Sequence, residues 1–297
     1  MRLLVLTRNR FLYASRRLGV AALQLGHEVV FADPVSIALP VHPGKPPQVC
    51  LDGRPLADCD AVLARVGRGT RDTSHAILRY CESAGVPCVN SSPAIACAND
   101  KFATLQVLEA AGVRVPPSVL INSPNQVGEA LTLLGHSPIV LKTLDGSQGT
   151  GVMLADSAAS ARSVADTWLT QGAPLVLQKF VGDKTHQAPS RDLRVLVVGG
   201  EIVAAVERTA PAGEFRANVH RGSICEPASL TSQEAHAALE SARAVGLGVA
   251  GVDMLRTENG PLVLEVNASP GLQGIEETTG VDCAGAIIAY AARLCGK

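Results

Sequence analysis

The feature that most constrains the fold of this chain is a candidate hairpin formed by residues 253–267. Asn259-Gly260 separates two apolar runs, and Asn-Gly in that position is a strong signal for a β-hairpin turn. Folding the chain back at this turn places Asp253 nearly opposite Glu265. Glu265 and Asn267 are two residues apart, so both side chains point to one face of the same strand. The hairpin therefore predicts three oxygen-bearing side chains close together among valines and leucines.

Asp253, Glu265 and Asn267 together predict a metal site. Carboxylates buried in apolar surroundings are costly unless cations compensate them. Oxygen ligands suit Mg²⁺ or Mn²⁺, which typically bridge to substrate phosphates. A glycine-rich segment, residues 268–274, follows immediately and offers backbone amides beside the site. The alternative is a hairpin with two solvated acids, which the apolar runs on both sides of the turn disfavour.

The composition is typical of a well-packed soluble protein and gives no sign of a nucleic-acid or membrane partner. The chain has 297 residues, enough for two or three modest domains, with 47% apolar residues, 18% charged residues and a net charge of −1. No apolar stretch reaches the roughly 18 residues of a membrane span, and the apolar start is too short for a signal peptide. The eight cysteines include no C-x-x-C pair. We therefore expect a cytoplasmic protein with reduced thiols.

The order of predicted elements divides the chain into three domains. Residues 1–97 alternate strands and helices, which is typical of a parallel sheet covered by helices, and no dinucleotide-binding G-x-G-x-x-G follows the first strand. Residues 98–180 form a compact α+β unit. Residues 181–297 are dominated by strands, with a second hairpin at Gly199-Gly200 and a capping box at residues 231–234. Strands are predicted at residues 3–6, 28–32, 61–66, 139–142, 152–155, 174–180, 192–198 and 201–207, and a small hairpin at 49–56. Helices are predicted at residues 16–25, 73–84, 99–111 and 282–294. Three more helices are predicted: one that begins at residue 123, one that begins at 156 or 157, and one that runs from the capping box at 231 to about 245.

A glycine-rich loop after the strand that ends at Lys142 predicts a phosphate-binding site. Gly146, Gly149 and Gly151 let the backbone approach a ligand and turn its N–H groups towards phosphate oxygens. The Lys142 ammonium supplies a point charge to the same phosphates. Because the lysine precedes the glycines, the motif is not a P-loop. A flexible hairpin loop with a surface lysine is the alternative interpretation.

Two further segments carry candidate nucleotide-binding residues. Residues 178–181 end an apolar strand, where backbone groups could contact adenine, and Asp192 could hold a ribose hydroxyl. Residues 207–222 gather three arginines, an asparagine and a histidine, and arginine clusters suit phosphate and carboxylate recognition. His220 is interpreted as an orienting or structural histidine rather than a general base. A plain strand end with a solvated Asp, and a solvated basic loop, are the alternatives.

In this order, the features resemble the ATP-grasp superfamily, and within it the RimK-type α-L-glutamate ligases, over nearly the whole chain. The stretches that carry the resemblance are residues 7–9 (TRN), 140–142 (VLK), 146–152 (GSQGTGV), 192–199 (DLRVLVVG), 203–208 (VAAVER), 215–222 (FRANVHRG), 250–253 (AGVD) and 265–276 (EVNASPGLQGIE). The last three are highly specific for this group when they occur together.

The resemblance implies an α/β and α+β protein with the ATP-grasp fold. A parallel α/β domain at the N-terminus would help form the acceptor site, and ATP would lie between a central lid domain and a C-terminal antiparallel-sheet domain. The implied ATP contacts are Lys142, Gly146, Gly149, Lys179, Phe180, Asp192, Arg216, Ala217 and Asn218. The implied ligands of two Mg²⁺ or Mn²⁺ ions are Asp253, Glu265 and Asn267. The implied catalytic residues are Arg208, beside the phosphates, with Asn218 and His220.

By function, the resemblance implies ATP-dependent addition of L-glutamate, through an acylphosphate, to the C-terminal carboxylate of an acceptor protein. We expect a small-subunit ribosomal protein or poly-α-glutamate as acceptor, and a homotetramer. The alternatives are an amino-group carrier protein or a deazaflavin coenzyme as acceptor, a kinase that stops at the phosphorylated product, and a nucleotide-binding regulator without turnover. Two features depart from the family pattern: Lys179 stands where members often carry an acidic residue, and the loop at 182–191 is a few residues longer.

Overall fold

A computed structural model of the chain describes residues 1–42, 44, 49–51, 54–55, 59–65, 67–135, 138–144, 151–182, 189–211, 214 and 222–297. In chain order its strands are β1 (Arg2–Leu6), β2 (Glu28–Ala32), β3 (Ile37–Ala38), β4 (Cys50–Leu51), β5 (Arg54–Pro55), β6 (Ala61–Ala64), β7 (Ser118–Ile121), β8 (Ile139–Thr143), β9 (Val152–Ala155), β10 (Leu175–Lys179), β11 (Arg191–Val198), β12 (Glu201–Thr209), β13 (Ile224–Pro227), β14 (Val249–Leu255) and β15 (Leu262–Asn267). Its α-helices are α1 (Tyr13–Gln24), α2 (Arg71–Ser83), α3 (Ser92–Asn99), α4 (Lys101–Ala110), α5 (Val127–Leu134), α6 (Ala158–Leu169), α7 (Ser232–Val245), α8 (Gln273–Thr279) and α9 (Cys283–Leu294).

The first sheet is parallel, as the alternation of strands and helices predicts. Its order is β2-β1-β6, with Leu4 of β1 paired with Val30 on one side and Val62 on the other. The predicted small hairpin at residues 49–56 is confirmed by the pairing of β4 with β5, and β3 adds a third strand to it. Parallel strands leave all their carboxyl ends at one edge, so the segments after β1 and β6 lie side by side.

The second sheet is antiparallel, in the order β7-β10-β8-β9, and α5 and α6 cover it. Ser157 caps α6 by accepting a hydrogen bond from Ser160 N–H at 3.1 Å, as one of the two predicted capping residues. The buried apolar side chains of this sheet form a cluster of their own with those of the two helices. A separate core allows this unit to move as a body relative to the others.

The third sheet is antiparallel, in the order β13-β12-β11-β14-β15, and both predicted hairpins are confirmed. Gly199 and Gly200 turn between β11 and β12 with φ of 60° and 82°, and Gly260 turns between β14 and β15 with φ of 98°. The predicted capping box of α7 is also present, because Thr231 and Glu234 each accept the other's backbone N–H.

The first and third sheets share their hydrophobic core. Leu4 and Val62 belong to one cluster of buried side chains with Val195 and Val252. A second cluster joins the opposite face of the first sheet to α9 and the third sheet. This common packing fixes the carboxyl edge of the parallel sheet against the third sheet.

Some elements were not predicted from the sequence. The predicted helix at 99–111 corresponds to α4, but α3 precedes it, and Asp100 separates the two by accepting hydrogen bonds from Phe102 and Ala103 N–H. Strand β13 and helix α8 were also missed, because both are short and α8 begins without a side-chain cap. Within the described residues, no helix is both long and apolar enough to cross a membrane.

Candidate active site

One face of the third sheet carries a row of charged side chains that crosses four strands. Arg208 on β12 pairs with Asp192 on β11. Arg194, two residues further along β11, pairs with Asp253 on β14. Asp253 in turn lies opposite Glu265 on β15, as the hairpin predicts. Residues directly opposite in antiparallel strands share a face, so the register gathers two arginines and three carboxylates.

Asp253 is the most buried member of this row. It is 2% exposed, and Nε and Nη2 of Arg194 donate to its two carboxylate oxygens. Arg208 Nη2 also lies 3.1 Å from Asp253 Oδ2. Burial by itself would raise the pKa of Asp253, but the Arg194 and Arg208 guanidiniums outweigh burial and lower that pKa to about 2. Asp253 is therefore an anion at neutral pH, held by cations from the neighbouring strands.

Arg208 is shared between two carboxylates. Its Nε and Nη2 each donate to one oxygen of Asp192 at 2.6 Å, while Nη2 also contacts Asp253. Burial raises the pKa of Asp192 to about 6, against the opposing effect of Arg208. Each oxygen of Asp192 therefore already accepts one hydrogen bond, and a ribose hydroxyl would use a remaining lone pair of the carboxylate. That contact stays a prediction.

Glu265 and Asn267 lie together next to Asp253. Asn267 Nδ2 donates to Glu265 Oε1 at 3.1 Å. Among the described residues, Glu265 makes no ion pair, although it is partly buried beside a second carboxylate. Such an arrangement favours a bound cation, and two carboxylates with an amide oxygen are ligands that suit Mg²⁺. These residues fit a divalent ion.

The protein supplies only part of a metal coordination shell at this place. In the part of the chain that the structure describes, no group of three or more His, Cys, Asp or Glu side chains could hold a metal ion. Mg²⁺ commonly binds through one or two carboxylates, with water and substrate phosphates as the other ligands. The Asp253, Glu265 and Asn267 set matches that pattern, and its role as the metal site stays a prediction.

Two lysines come together at the start of the glycine-rich loop. Lys142 lies in β8 between Val152 and Val176 on the neighbouring strands. Burial lowers the pKa of Lys142 to about 8, with Lys101 adding to the effect and Glu265 opposing it. Lys101 begins α4 and its Nζ donates to the Leu144 carbonyl at 3.3 Å. Neighbouring ammonium groups beside a glycine-rich loop suit a polyphosphate.

At the other predicted nucleotide-binding positions, some backbone groups already make hydrogen bonds within the protein. Gly151 ends the loop with φ of 74°, and its carbonyl accepts from Thr143 N–H at 2.9 Å. Lys179 N–H donates to the Pro117 carbonyl at 2.9 Å, and Phe180 N–H to the Pro138 carbonyl at 3.2 Å. Any contact of these two residues with adenine would therefore use their carbonyl groups or side chains.

The remaining predicted site residues lie outside the part of the chain that the structure describes. They are Gly146, Gly149, Arg216, Ala217, Asn218 and His220, together with residues 183–188 of the longer loop. Their roles stay predictions.

Asn90 and residues at the carboxyl end of β6 form hydrogen bonds with the segment that follows the candidate metal ligands. Asn90 Nδ2 donates to the Ala268 carbonyl at 2.9 Å, and Ser269 Oγ donates to the Ala64 carbonyl at 3.1 Å. Arg65 Nη2 donates to the Pro270 carbonyl at 2.8 Å. The carboxyl end of β6 is therefore hydrogen-bonded directly to the segment that follows Asn267.

Two residues of this site were not assigned a role from the sequence. Arg194 lies two residues after Asp192, and this spacing could have placed both on one face of β11. Lys101 follows Asp100 at the start of α4, and no local pattern connects it with Lys142, which is distant in the sequence.

Comparison with known families identifies the family to which the chain belongs. The RimK-like ATP-grasp domain model matches residues 98–291, and the RimK PreATP-grasp domain model matches residues 1–95. The chain belongs to the RimK-like ATP-grasp family. The suggested resemblance and the ATP-grasp fold class are thereby confirmed. The domain boundaries at residues 97 and 180 stay a prediction.

Individual relatives of this RimK-like chain are similar over their whole length. "Ribosomal protein bS6--L-glutamate ligase" of Escherichia fergusonii is 42% identical over 293 residues, which cover 99% of this chain and 96% of that protein. Among solved structures, the ATP-grasp ligase PsnB complexed with a minimal precursor has a TM-score of 0.76 at 21% identity, with 98% of each chain covered. PsnB with a phosphomimetic precursor variant, Mg and ADP has a TM-score of 0.74 at 21% identity, covering 100% of this chain and 98% of that one. These structures show a shared fold.

Proposed function

We propose that this RimK-like protein is an ATP-dependent carboxylate–amine ligase that adds L-glutamate to the C-terminal carboxylate of an acceptor protein. A small-subunit ribosomal protein is the proposed acceptor, because a relative at 42% identity is named a ribosomal protein bS6 glutamate ligase. The observation that supports this reaction is the juxtaposition of a charged row on the third sheet with lysines beside a glycine-rich loop. The row offers carboxylates for a metal, and the lysines offer charge to phosphates.

The reaction needs two displacements and no side-chain nucleophile. In the first, an oxygen of the acceptor's terminal carboxylate attacks the γ-phosphorus of ATP, the bond to the β,γ-bridging oxygen breaks, and ADP leaves. In the second, the amine of glutamate attacks the acylphosphate carbon, the C–O bond breaks, and phosphate leaves with that electron pair. The amine nitrogen then loses a proton. None of the eight cysteines is required, and burial raises the pKa of the Cys81 thiol to about 11 and of Cys88 to about 12.

The side chains in the described part of the site divide this work. Lys142 and Lys101 would bind the phosphates of ATP. Glu265, Asn267 and Asp253 would hold a divalent ion, which when bound supplies charge neutralisation and polarises the phosphoryl oxygens. Arg208 and Arg194 keep Asp253 ionised and in place, because they lower its pKa. Preorganised charges of this kind stabilise the transferring group without reorganisation during the reaction.

The second sheet is proposed to act as a lid over the acylphosphate. Its core is separate from that of the other two sheets, and it carries Lys142 and the start of the glycine-rich loop. Water would hydrolyse an acylphosphate, so closure of such a unit protects the intermediate.

Phosphate release measured with ATP, Mg²⁺ and glutamate tests the proposed reaction. We expect release that depends on both glutamate and the acceptor protein, with ribosomal protein bS6 tested beside an amino-group carrier protein and poly-α-glutamate. A nucleotide-binding regulator would release no phosphate with any acceptor. A kinase would consume ATP without forming an amide. Mn²⁺ in place of Mg²⁺, a pair of ions, a homotetramer and a cytoplasmic location stay predictions.

A further inference from the structure

The carboxyl edge of the parallel sheet has the topology of a ligand-binding crevice. The chain runs from β1 through α1 to β2 on one side, and later enters β6 on the other side of β1. The strand order therefore reverses between β1 and β6. In open α/β sheets, ligands bind outside the carboxyl ends of the strands at such a reversal. Arg65 is the first residue after β6 and stands at this point.

Within the described residues, the Arg65 guanidinium uses only part of its hydrogen-bonding capacity. A guanidinium carries five N–H groups. In the structure one nitrogen, Nη2, donates to the Pro270 carbonyl at 2.8 Å. Within the described residues no carboxylate pairs with Arg65, and burial alone lowers its pKa to about 10. A partly buried cation without an anion is costly, so the position favours an anionic ligand.

Thr70 provides a second, independent sign of a missing ligand at the same edge. It precedes α2 at the N-cap position and is 3% exposed. Its Oγ1 is the one buried side-chain nitrogen or oxygen, among the residues the structure describes, that has no hydrogen-bond partner. An N-cap hydroxyl usually accepts from the first turn of its helix, and Thr70 does not. The N-terminus of a helix also favours an anion.

This edge lies next to the proposed reaction site. The Pro270 carbonyl that Arg65 contacts belongs to a residue packed on Gly251, where a Cβ would lie 2.7 Å from Pro270 Cβ. Gly251 is paired with Asn267, one of the proposed metal ligands. Arg65 is thus connected to the metal ligands through two directly contacting residues.

We propose that Arg65, with Thr70 at the start of α2, binds a carboxylate of the incoming amino acid that does not react, and so selects the donor. This inference rests on the proposed ligase function. The acceptor's carboxylate must remain free to attack phosphorus, and a guanidinium held on it would oppose that step. The carboxylates of glutamate, in contrast, keep their charge throughout the reaction, so a fixed guanidinium can bind them from entry to product.

Donor kinetics with carboxamide analogues test this assignment. The kcat/KM values for glutamate, glutamine and isoglutamine are measured with one acceptor for the wild type, Arg65→Gln and Arg65→Lys. We expect Arg65→Gln to raise the KM for glutamate about tenfold or more, with KM for ATP and acceptor changed less than about twofold. The wild-type preference for glutamate over one of the two amides should also collapse in Arg65→Gln, and that amide identifies the bound carboxylate. Arg65→Lys keeps the positive charge but loses the forked guanidinium, so its KM for glutamate should lie between those of the wild type and Arg65→Gln.

Arg79→Gln is the matched control. Arg79 is exposed near the opposite end of α2, and its change removes the same charge. It should leave all KM values near wild type. An unchanged glutamate KM in Arg65→Gln, a rise in acceptor KM instead, or equal losses with glutamate and both amides would overturn the proposal. If the wild type ligates another amino acid, the proposed function alone fails, and the same comparison is made between that amino acid and its α-carboxamide.

Discussion

The buried ion pairs of Arg208 with Asp192 and Asp253 allow a quantitative test of how the charged row contributes to stability. Arg208 is 3% exposed, donates twice to Asp192 at 2.6 Å and lies 3.1 Å from Asp253. In Arg208→Met an apolar side chain of similar length replaces the guanidinium. Both carboxylates then lose a partner inside the protein, and breaking a buried pair from one side costs about 3–5 kcal/mol.

The contribution of Asp192 to this cost follows from its pKa of about 6 in the folded protein. At pH 7 the ionised form is favoured over the protonated form by about 1 kcal/mol, since one pH unit corresponds to ~1.4 kcal/mol. Without Arg208, Asp192 stays protonated and this contribution disappears. Asp253 loses a charge-assisted contact worth about 1.5–3 kcal/mol. We therefore expect a loss of about 3 kcal/mol at pH 7, which is the lower end of the range for buried pairs.

Urea and thermal unfolding, followed by circular dichroism without nucleotide or metal, measure this loss. For a chain of 297 residues, a loss of about 3 kcal/mol should lower the melting temperature by roughly 5 °C at pH 7. Because the folded-state pKa of Asp192 is raised to about 6, the folded wild type protonates this carboxyl as pH falls through 6, and the protonated form no longer needs Arg208. The loss should therefore shrink by about 1 kcal/mol at pH 5. Arg191→Met is the matched control, because Arg191 precedes Asp192, is 61% exposed and lies 3.5 Å from Glu207. It should cost at most about 1 kcal/mol. An Arg208→Met protein no less stable than Arg191→Met, or a loss that grows towards pH 5, would refute the reasoning.

Three further predictions concern metal, nucleotide and pH. Glu265→Ala should keep the fold and lower ligation roughly 10³-fold or more, because several kcal/mol of transition-state stabilisation are lost; near-wild-type product formation by the folded variant would exclude the metal role. Lys142→Ala should weaken ATP binding by about 1.5–3 kcal/mol in calorimetry. Wild-type ATP affinity should fall as pH rises through about 8, where the free Lys142 ammonium loses its proton, and Lys142→Arg should abolish that fall; unchanged affinity in Lys142→Ala contradicts the assignment. Burial lowers the pKa of His75, so folding stability should decline as pH falls below about 6.5, and His75→Gln should reduce the decline in urea titrations; an equal decline in both proteins argues against it.

Local patterns were sufficient to predict much of the fold. Asn259-Gly260 and Gly199-Gly200 are turn signals that need no tertiary information, and both hairpins form. The capping box at Thr231 is equally local. Once the hairpin at Asn259 is known, the pairing of Asp253 with Glu265 follows from the alternation of side chains along strands.

Contacts between distant segments could not be predicted in the same way. The Arg194–Asp253 pair joins β11 to β14, and the sequence does not fix which strands become neighbours. The hydrogen bond from Arg65 to Pro270 joins residues 205 positions apart. Neither arginine stands in a local pattern that indicates its partner. Asp192 illustrates the same limit. The sequence indicates it as a candidate site residue, but its buried hydrogen bonds with Arg208 are evident only in the folded sheet.

Mass spectrometry of the acceptor tests the central claim most directly. Ribosomal protein bS6 is incubated with the wild-type enzyme, ATP, Mg²⁺ and an equimolar mixture of glutamate, glutamine and lysine, and its C-terminal peptide is then sequenced by fragmentation. Ligation of glutamate predicts a mass increase of one or more glutamyl residues, located at the C-terminus, with glutamate used at least about tenfold better than the other two amino acids. An unmodified acceptor, a phosphorylated acceptor without an amide, or a C-terminus extended with lysine or glutamine would contradict the proposed glutamate ligase.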